Sequence, residues 1–143
     1  MLVERPLITI YLPSHNYGRY LKRAVESVLR QTYEHFELLI FDENSKDNTA
    51  EIINLFKGDN RIRAFKTEGL GLIMVANMAI REAKGKYLIR LDADDIFDED
   101  ILLILVQRMI NNPELAFVFP DYYLIDEYDE IILVGSGKGV ASV

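Results

Sequence analysis

A chain of 143 residues, half of them hydrophobic, has room for one domain of ordinary size and can bury a core without disulfides or a structural metal. Its 23 acidic residues outnumber its 16 basic ones, and a net charge of -7 excludes nucleic acid held on a broad basic surface. The absence of cysteine excludes disulfides, thiol catalysis and thiolate metal sites, and suits a reducing compartment. The longest apolar run, residues 101–106, is far too short to span a bilayer, and the N-terminus has no basic segment leading into an apolar stretch. The expectation is a cytoplasmic chain with no transmembrane segment and no nucleic-acid partner. If its ligand is anionic, a divalent cation is the obvious offset to the charge.

Taken in order, residues 7–12 read as a short buried strand ended by Pro13. Residues 18–32 read as a helix, with Tyr20, Leu21, Ala24, Val25, Val28 and Leu29 at three- and four-residue spacing. A second strand is expected at 36–41. It is followed by a polar turn at 42–48, in which Ser45 or Asp47 is placed to cap a helix running to about Phe56. Residues 61–65 form a third strand, 67–71 a loop with two glycines and 72–83 a helix that Gly85 is placed to end. A fourth strand at 87–91 leads into the acidic turn Asp92-Ala93-Asp94-Asp95. A helix at 98–111, stopped by Asn112-Pro113, and a fifth strand at 115–119 follow. Residues 122–125 and 131–134 are expected to pair as a C-terminal β-hairpin. The domain is thus expected over 1–134 and a flexible tail over 135–143.

This alternation predicts an α/β fold, a mostly parallel sheet flanked by helices. In such sheets ligands sit beyond the carboxyl ends of the strands. The residues there are Pro13, Ser14, His15, Asn16 and Tyr17 after the first strand, and Asp42, Glu43, Asn44 and Ser45 after the second. Asp92, Asp94 and Asp95 follow the fourth, and Pro120, Asp121 and Tyr122 the fifth.

Three carboxylates in the four residues 92–95 repel each other unless a cation joins them. Mg2+ and Mn2+ favour oxygen ligands, and Mg2+ takes few protein carboxylates, leaving the rest of its shell to water and phosphates. A DxD directly after a buried strand fits that task. Its alternative is the acidic start of a helix, and both can hold at once. Asp42 and Glu43 are placed to accept hydrogen bonds from a nucleobase or ribose, or else to belong to a solvated, helix-capping loop. His15 and Tyr17 offer flat rings for stacking on a base, worth ~1–3 kcal/mol in single-strand binders. The glycine-rich stretch 135–139 is not a phosphate loop, since Ile132 stands where the first glycine belongs and Gly139 where Ser or Thr follows the lysine. A phospho-receiver domain is also unsupported, because Pro13-Ser14-His15 stands where its acidic pair would lie.

Several segments together resemble family 2 glycosyltransferases. Residues 8–16 resemble the opening V-S-V-I-I-P-T-Y-N, and the helix ending at Gln31-Thr32-Tyr33 resembles S-x-L-x-Q-T-Y. Residues 36–49 resemble F-E-I-I-V-V-D-D-G-S-T-D-N-T. Asn77 and residues 83–88 resemble N-x-(5–6)-A-x-G-x-Y-I, and residues 91–95 are the L-D-A-D-D element itself. The resemblance implies a GT-A fold, Rossmann-like, of the nucleotide-diphospho-sugar transferases. It implies an inverting, metal-dependent glycosyltransferase, part of polysaccharide biosynthesis, using Mg2+ or Mn2+. The donor would be a nucleotide-diphospho-sugar, a UDP-sugar by expectation, and the acceptor a glycan, lipid-linked or other hydroxyl. Such an acceptor, or a segment beyond this chain, would be what brings it to the inner membrane face. By position, Pro13, Ser14 and His15 line the base pocket, Asp42 and Glu43 replace the aspartate pair at base and ribose, Asp92 lies nearer the ribose, and Asn16 and Ala93 belong to the same nucleotide-sugar-binding set. Asp94, with Asp92, is the metal ligand. His15 stands where the family has Tyr. Glu43 departs from aspartate by one methylene. The family's base comes well after the DxD, and none of Asp121, Asp126 and Asp129 is assigned to that role. The alternative is a nucleotide-sugar-binding fragment without transferase activity, lacking the acceptor and base half.

Overall fold

In the structure, a computed structural model describing residues 5–135 and 140–142, the chain divides into two compact units, one up to Glu99 and one from Asp100. The first contains β1 (Ile8–Ser14), α1 (Gly18–Leu29), β2 (Phe36–Glu43), α2 (Thr49–Asn54), β3 (Ile62–Thr67), α3 (Leu72–Glu82) and β4 (Tyr87–Arg90). Its four strands form one parallel sheet in the order β3-β2-β1-β4. Right-handed crossovers then put α1 and α2 on one face and α3 on the other, because the chain reverses its direction across the sheet after β3. The packing agrees. Helix α1 lies against α2, while Leu39 and Phe41 of β2 cluster with Val75 and Ala79 of α3, joined by Tyr11, Phe65 and Met78.

Every residue of β2 is buried, as expected of a strand covered on both faces, and its sequence is a nearly continuous apolar run. Burying each Leu, Ile or Phe side chain there contributes roughly 1.5–3 kcal/mol. Alternation sends Glu37, Leu39, Phe41 and Glu43 toward α3, and Leu38, Ile40 and Asp42 toward the other face. Two buried glutamates therefore stand at opposite ends of the strand, both on the α3 side. Glu37 Oε1 accepts from the Lys84 amide at 2.6 Å, just past the end of α3. Glu43 Oε2 accepts from the Gly71 amide at 2.7 Å, just before its start. The spans match. Six residues of strand cover about 20 Å, and thirteen residues rising helically cover about 20 Å.

Glu37 is further held by the Thr9 hydroxyl at 2.7 Å and by Arg63 Nη2 at 3.1 Å. Burial by itself raises its carboxyl, but the hydrogen bonds from Lys84, Thr9 and Arg63 outweigh it and leave the group below the usual glutamate range. A side chain at Gly85 would put a Cβ 2.5 Å from the Thr9 amide nitrogen, so only glycine lets the chain leaving α3 cross β1 this closely.

The second unit contains α4 (Ile101–Asn111), β5 (Leu115–Val118), β6 (Tyr122–Ile125), β7 (Ile131–Gly135) and β8 (Val140–Ser142). The expected C-terminal hairpin is present as antiparallel β6 and β7. Its turn is built by Asp126, whose Oδ1 accepts from the amides of Tyr128 and Glu130 at 2.8 and 3.0 Å. The fifth strand pairs with β8, antiparallel, and is not a strand of the parallel sheet, so Pro120, Asp121 and Tyr122 do not follow a strand of that sheet. Helix α4 starts at Ile101, later than residue 98. The carbonyls of Asp98 and Glu99 are taken by Gln31 Nε2 at 2.6 Å and the Thr32 amide at 2.9 Å, not by a helical turn. Of the tail expected over 135–143, residues 136–139 and 143 lie outside the described residues, Gly135 ends β7, and 140–142 form β8. Among the described residues no helix is long and apolar enough to cross a membrane.

Candidate functional site

The strand order 3-2-1-4 has its switch point between β1 and β4, where the crossovers diverge to opposite faces. The β1–β4 ladder ends with the Leu91 amide donating to the Tyr11 carbonyl at 3.0 Å. Pro13, with no N–H to give, follows where β4 has already turned away, so it breaks no pairing and leaves that edge open. Around this opening the fold brings together Ser14 at the end of β1 with His15 and Asn16 after it, Asp42 and Glu43 ending β2, and residues 92–95 after β4.

Loops 29–30 residues apart in sequence are stitched together here by polar groups. The Asn16 amide donates to Ser45 Oγ at 3.0 Å, and the Lys46 amide donates to Asn16 Oδ1 at 2.7 Å. The second bond fixes which end of the Asn16 carboxamide is oxygen, so Nδ2 faces His15 Nε2 at 3.1 Å and donates to it. His15 Nδ1 lies 2.6 Å from the Glu43 carbonyl, which can only accept. The ring is thereby set as the Nδ1–H tautomer, its plane held by partners on both nitrogens. Asn16 and Asn44 both adopt positive φ, 59° and 57°, a region asparagine tolerates better than most residues. Below them, Asp47 Oδ2 accepts from the Gly18 amide at 2.9 Å, and its Oδ1 accepts from the amide and hydroxyl of Thr49 at 3.0 and 2.6 Å. The Thr49 hydroxyl, the burial that opposes it and the two amides together hold the Asp47 carboxyl below its usual range. Of the two expected capping residues, Asp47 thus serves the start of α2, and Ser45 serves the stitch.

Ser14 and Asp42 are register partners on adjacent strands and both are buried. Asp42 Oδ1 accepts from the Ser45 amide at 2.9 Å. Ser14 Oγ is buried without a hydrogen-bond partner, a condition that costs roughly 1–3 kcal/mol unless a ligand or water supplies one. Glu43 is also buried, but it faces the other way. Its Oε1 accepts from the Thr67 hydroxyl and its Oε2 from Gly71, so both oxygens are engaged away from the Ser14–Asp42 side.

In the 92–95 turn, Asp94 and Asp95 are exposed and Ala93 is buried beneath them. Asp92 accepts from Arg90 Nε and Nη2, at 2.6 and 2.5 Å. Desolvation in the turn, then the charges of Asp94 and Asp92, raise the Asp95 carboxyl above its usual range, with Arg90 opposing. A cation would relieve that repulsion. The donor set is oxygen only, which fits a hard divalent ion. Among the described residues no three His, Asp or Glu side chains form a complete metal cage, so such an ion would draw on one or two of these carboxylates and complete its shell from ligand phosphates and water.

Comparison with known proteins gives a matching family model, Glycosyl transferase family 2, over residues 9–133. A glycosyltransferase, GlyG, of Streptococcus pneumoniae is 38% identical over 125 residues, covering 86% of this chain and 41% of the relative. A chondroitin synthase of Pasteurella multocida is 36% identical over 115 residues, covering 80% of this chain and 12% of that enzyme. Among solved structures, the mannosyltransferase PcManGT of Pyrobaculum calidifontis, in complex with GDP-Man and Mn2+, superposes with a TM-score of 0.72 at 22% identity, over 79% of this chain and 34% of that one. S. aureus TarS 1-349 in complex with UDP-GlcNAc gives 0.69 at 20% identity, over 74% and 32%. The fold is that of the GT-A glycosyltransferases. The chain spans 41% of the length of GlyG and 12% of that of the chondroitin synthase.

Proposed function

We propose, from the premise that this chain belongs to glycosyl transferase family 2, that residues 1–134 bind a nucleotide-diphospho-sugar as the donor side of a glycosyl transfer. The observation that carries the reading is the strand order, which gathers Ser14, His15, Asp42 and the 92–95 turn at the ends of neighbouring strands around an open switch point. Pro13 and Ser14 line the base pocket, His15 stacks on the base in its fixed orientation, and Asn16 holds that ring. Asp42 accepts from the nucleoside, and the unpartnered Ser14 hydroxyl beside it offers a second polar contact. Asp92 and Ala93 lie by the ribose. Asp94, with Asp92, holds Mg2+ or Mn2+.

When bound, the cation stabilises the charge that develops on the nucleoside diphosphate as it leaves. The chain's own part is to hold base and ribose so that the sugar carbon faces an acceptor hydroxyl for inverting displacement. No residue here is assigned as the base that activates that hydroxyl. The donor is a UDP-sugar in this reading, supported by the UDP-GlcNAc held by TarS and opposed by the GDP-Man held by PcManGT. Titration calorimetry with UDP and GDP, each with and without Mn2+, tests it. UDP should bind measurably only with the metal, and Asp94→Ala should abolish that dependence. Equal affinity with and without Mn2+ would refute the metal site, and a preference for GDP would refute the choice of base.

A further inference from the structure

We infer that Glu43 is a positioning residue, acting on the donor through His15 and the 67–71 loop and not by contact with the nucleotide. The inference rests on the donor-site reading above. Three observations carry it. Glu43 is the last residue of β2, and alternation aims its side chain at the α3 face, opposite Asp42. Both carboxylate oxygens are satisfied there, by its register partner Thr67 and by the amide of Gly71, at the entry to α3. Its main-chain carbonyl meanwhile accepts from His15 Nδ1 at 2.6 Å. One residue thus ties β3 and α3 by its side chain and orients the stacking ring by its backbone.

The extra methylene over aspartate is what lets the carboxylate reach past Thr67 to Gly71. Gly71 itself has φ of +80°, a conformation other residues resist, so the loop is built to present that N–H. If the side chain lost its anchors, the end of β2 would loosen, and the His15 ring with it.

Two substitutions separate this from direct recognition, because they rank in opposite orders. In Glu43→Gln the amide oxygen still accepts from Gly71. Its NH2 donates to Thr67 Oγ1, and the freed hydroxyl turns to the Asp42 carbonyl 3.5 Å away. Glu43→Asp keeps the charge but falls short of Gly71. A positioning role predicts UDP affinity, measured with Mn2+ well below the unfolding temperature, within about threefold of wild type for Gln and weakened roughly tenfold for Asp. Direct contact by the carboxylate predicts the reverse order, and that order overturns the inference. Amide exchange at Gly71, read without nucleotide, should be accelerated in Glu43→Asp and unchanged in Glu43→Gln; an unaltered Gly71 in Glu43→Asp also overturns it. Thr67→Val, which removes the hydroxyl at nearly constant shape, should weaken UDP in the same direction and add little on top of Glu43→Asp; full additivity counts against a shared latch. A wild-type chain that bound no UDP would overturn the donor reading and the inference's claim on the donor. The Gly71 exchange would still decide whether Glu43 holds the loop.

Discussion

Replacing Gly18 by alanine sets two effects of known sign against each other. Gly18 opens α1, and alanine in its place gains about 0.5–1 kcal/mol from helix propensity and a less disordered unfolded chain. Against that, the new Cβ would run into Asn48 Oδ1 and sit 2.8 Å from the Thr49 amide nitrogen and 3.1 Å from the Asn48 carbonyl carbon. The Asn48 side chain can swing aside, but the two backbone atoms cannot. They fall about 0.6 and 0.3 Å short of ordinary contact, so α1 and α2 must separate at their starts. Overpacking of this kind costs about 1–3 kcal/mol. The separation also stretches the 2.9 Å bond from the Gly18 amide to Asp47, a charge-assisted hydrogen bond worth about 1.5–3 kcal/mol. The clash wins, with a net destabilisation of about 2 kcal/mol. For a urea slope of ~2 kcal/mol/M, that lowers the unfolding midpoint by about 1 M. Gly58→Ala is the control, since nothing lies within 4 Å of its added Cβ and its midpoint should hold or rise. A Gly18→Ala chain as stable as wild type, with UDP affinity intact, would refute the claim that the two loops are fixed against each other here.

Three further outcomes follow from the geometry. Because the Glu37 carboxyl lies below its ordinary range when folded, its contribution is present above the unfolded value of about 4.3 and fades as pH falls through the folded value. Urea midpoints of wild type and Glu37→Gln should therefore converge or cross as pH drops from about 6 to about 3, and parallel curves would contradict the assignment. Arg90→Gln removes the guanidinium that competes for Asp92, so Mn2+ should bind a few-fold more tightly by paramagnetic relaxation titration; unchanged or weaker binding would remove Asp92 from the metal. Asn16→Gly relieves a φ of 59° but loses the Lys46 and His15 contacts, and should weaken UDP more than it lowers the unfolding midpoint. Equal proportional loss would make Asn16 merely structural.

Much of this was legible in the chain because its signals are local. The apolar run Leu38-Leu39-Ile40-Phe41 marks β2 as a strand of the sheet core. The spacing of Leu21, Ala24, Val25 and Val28 announced the buried stripe of α1, and all four are fully buried. Reading past each strand puts Asp92 beyond β4 as expected, whereas Ser14 and Asp42, expected after strands ending at 12 and 41, lie at the ends of the longer β1 and β2. What stayed hidden depends on partners distant in sequence. Glu43 reads as one of an acidic pair until Thr67 and Gly71 are seen beside it, although alternation along a strand already forbids two adjacent carboxylates from sharing a face. Likewise β5 has the composition of a sheet strand, and only its pairing with β8 takes it out of the parallel sheet.

The two glutamates of β2 carry a consequence for how such chains can change length. Helix α3 is gripped just before its first residue and just after its last by carboxylates on a strand whose length is set. One residue inserted between Gly71 and Lys84 would lengthen the helix by about 1.5 Å and rotate everything beyond it by about 100°. One of the two amides would then swing off its acceptor and leave a buried carboxylate oxygen short of that donor. Insertions and deletions should therefore be excluded from this segment and accumulate instead in turns such as 56–60, where the amides of Phe56, Lys57 and Asp59 bond to carbonyls only three residues back.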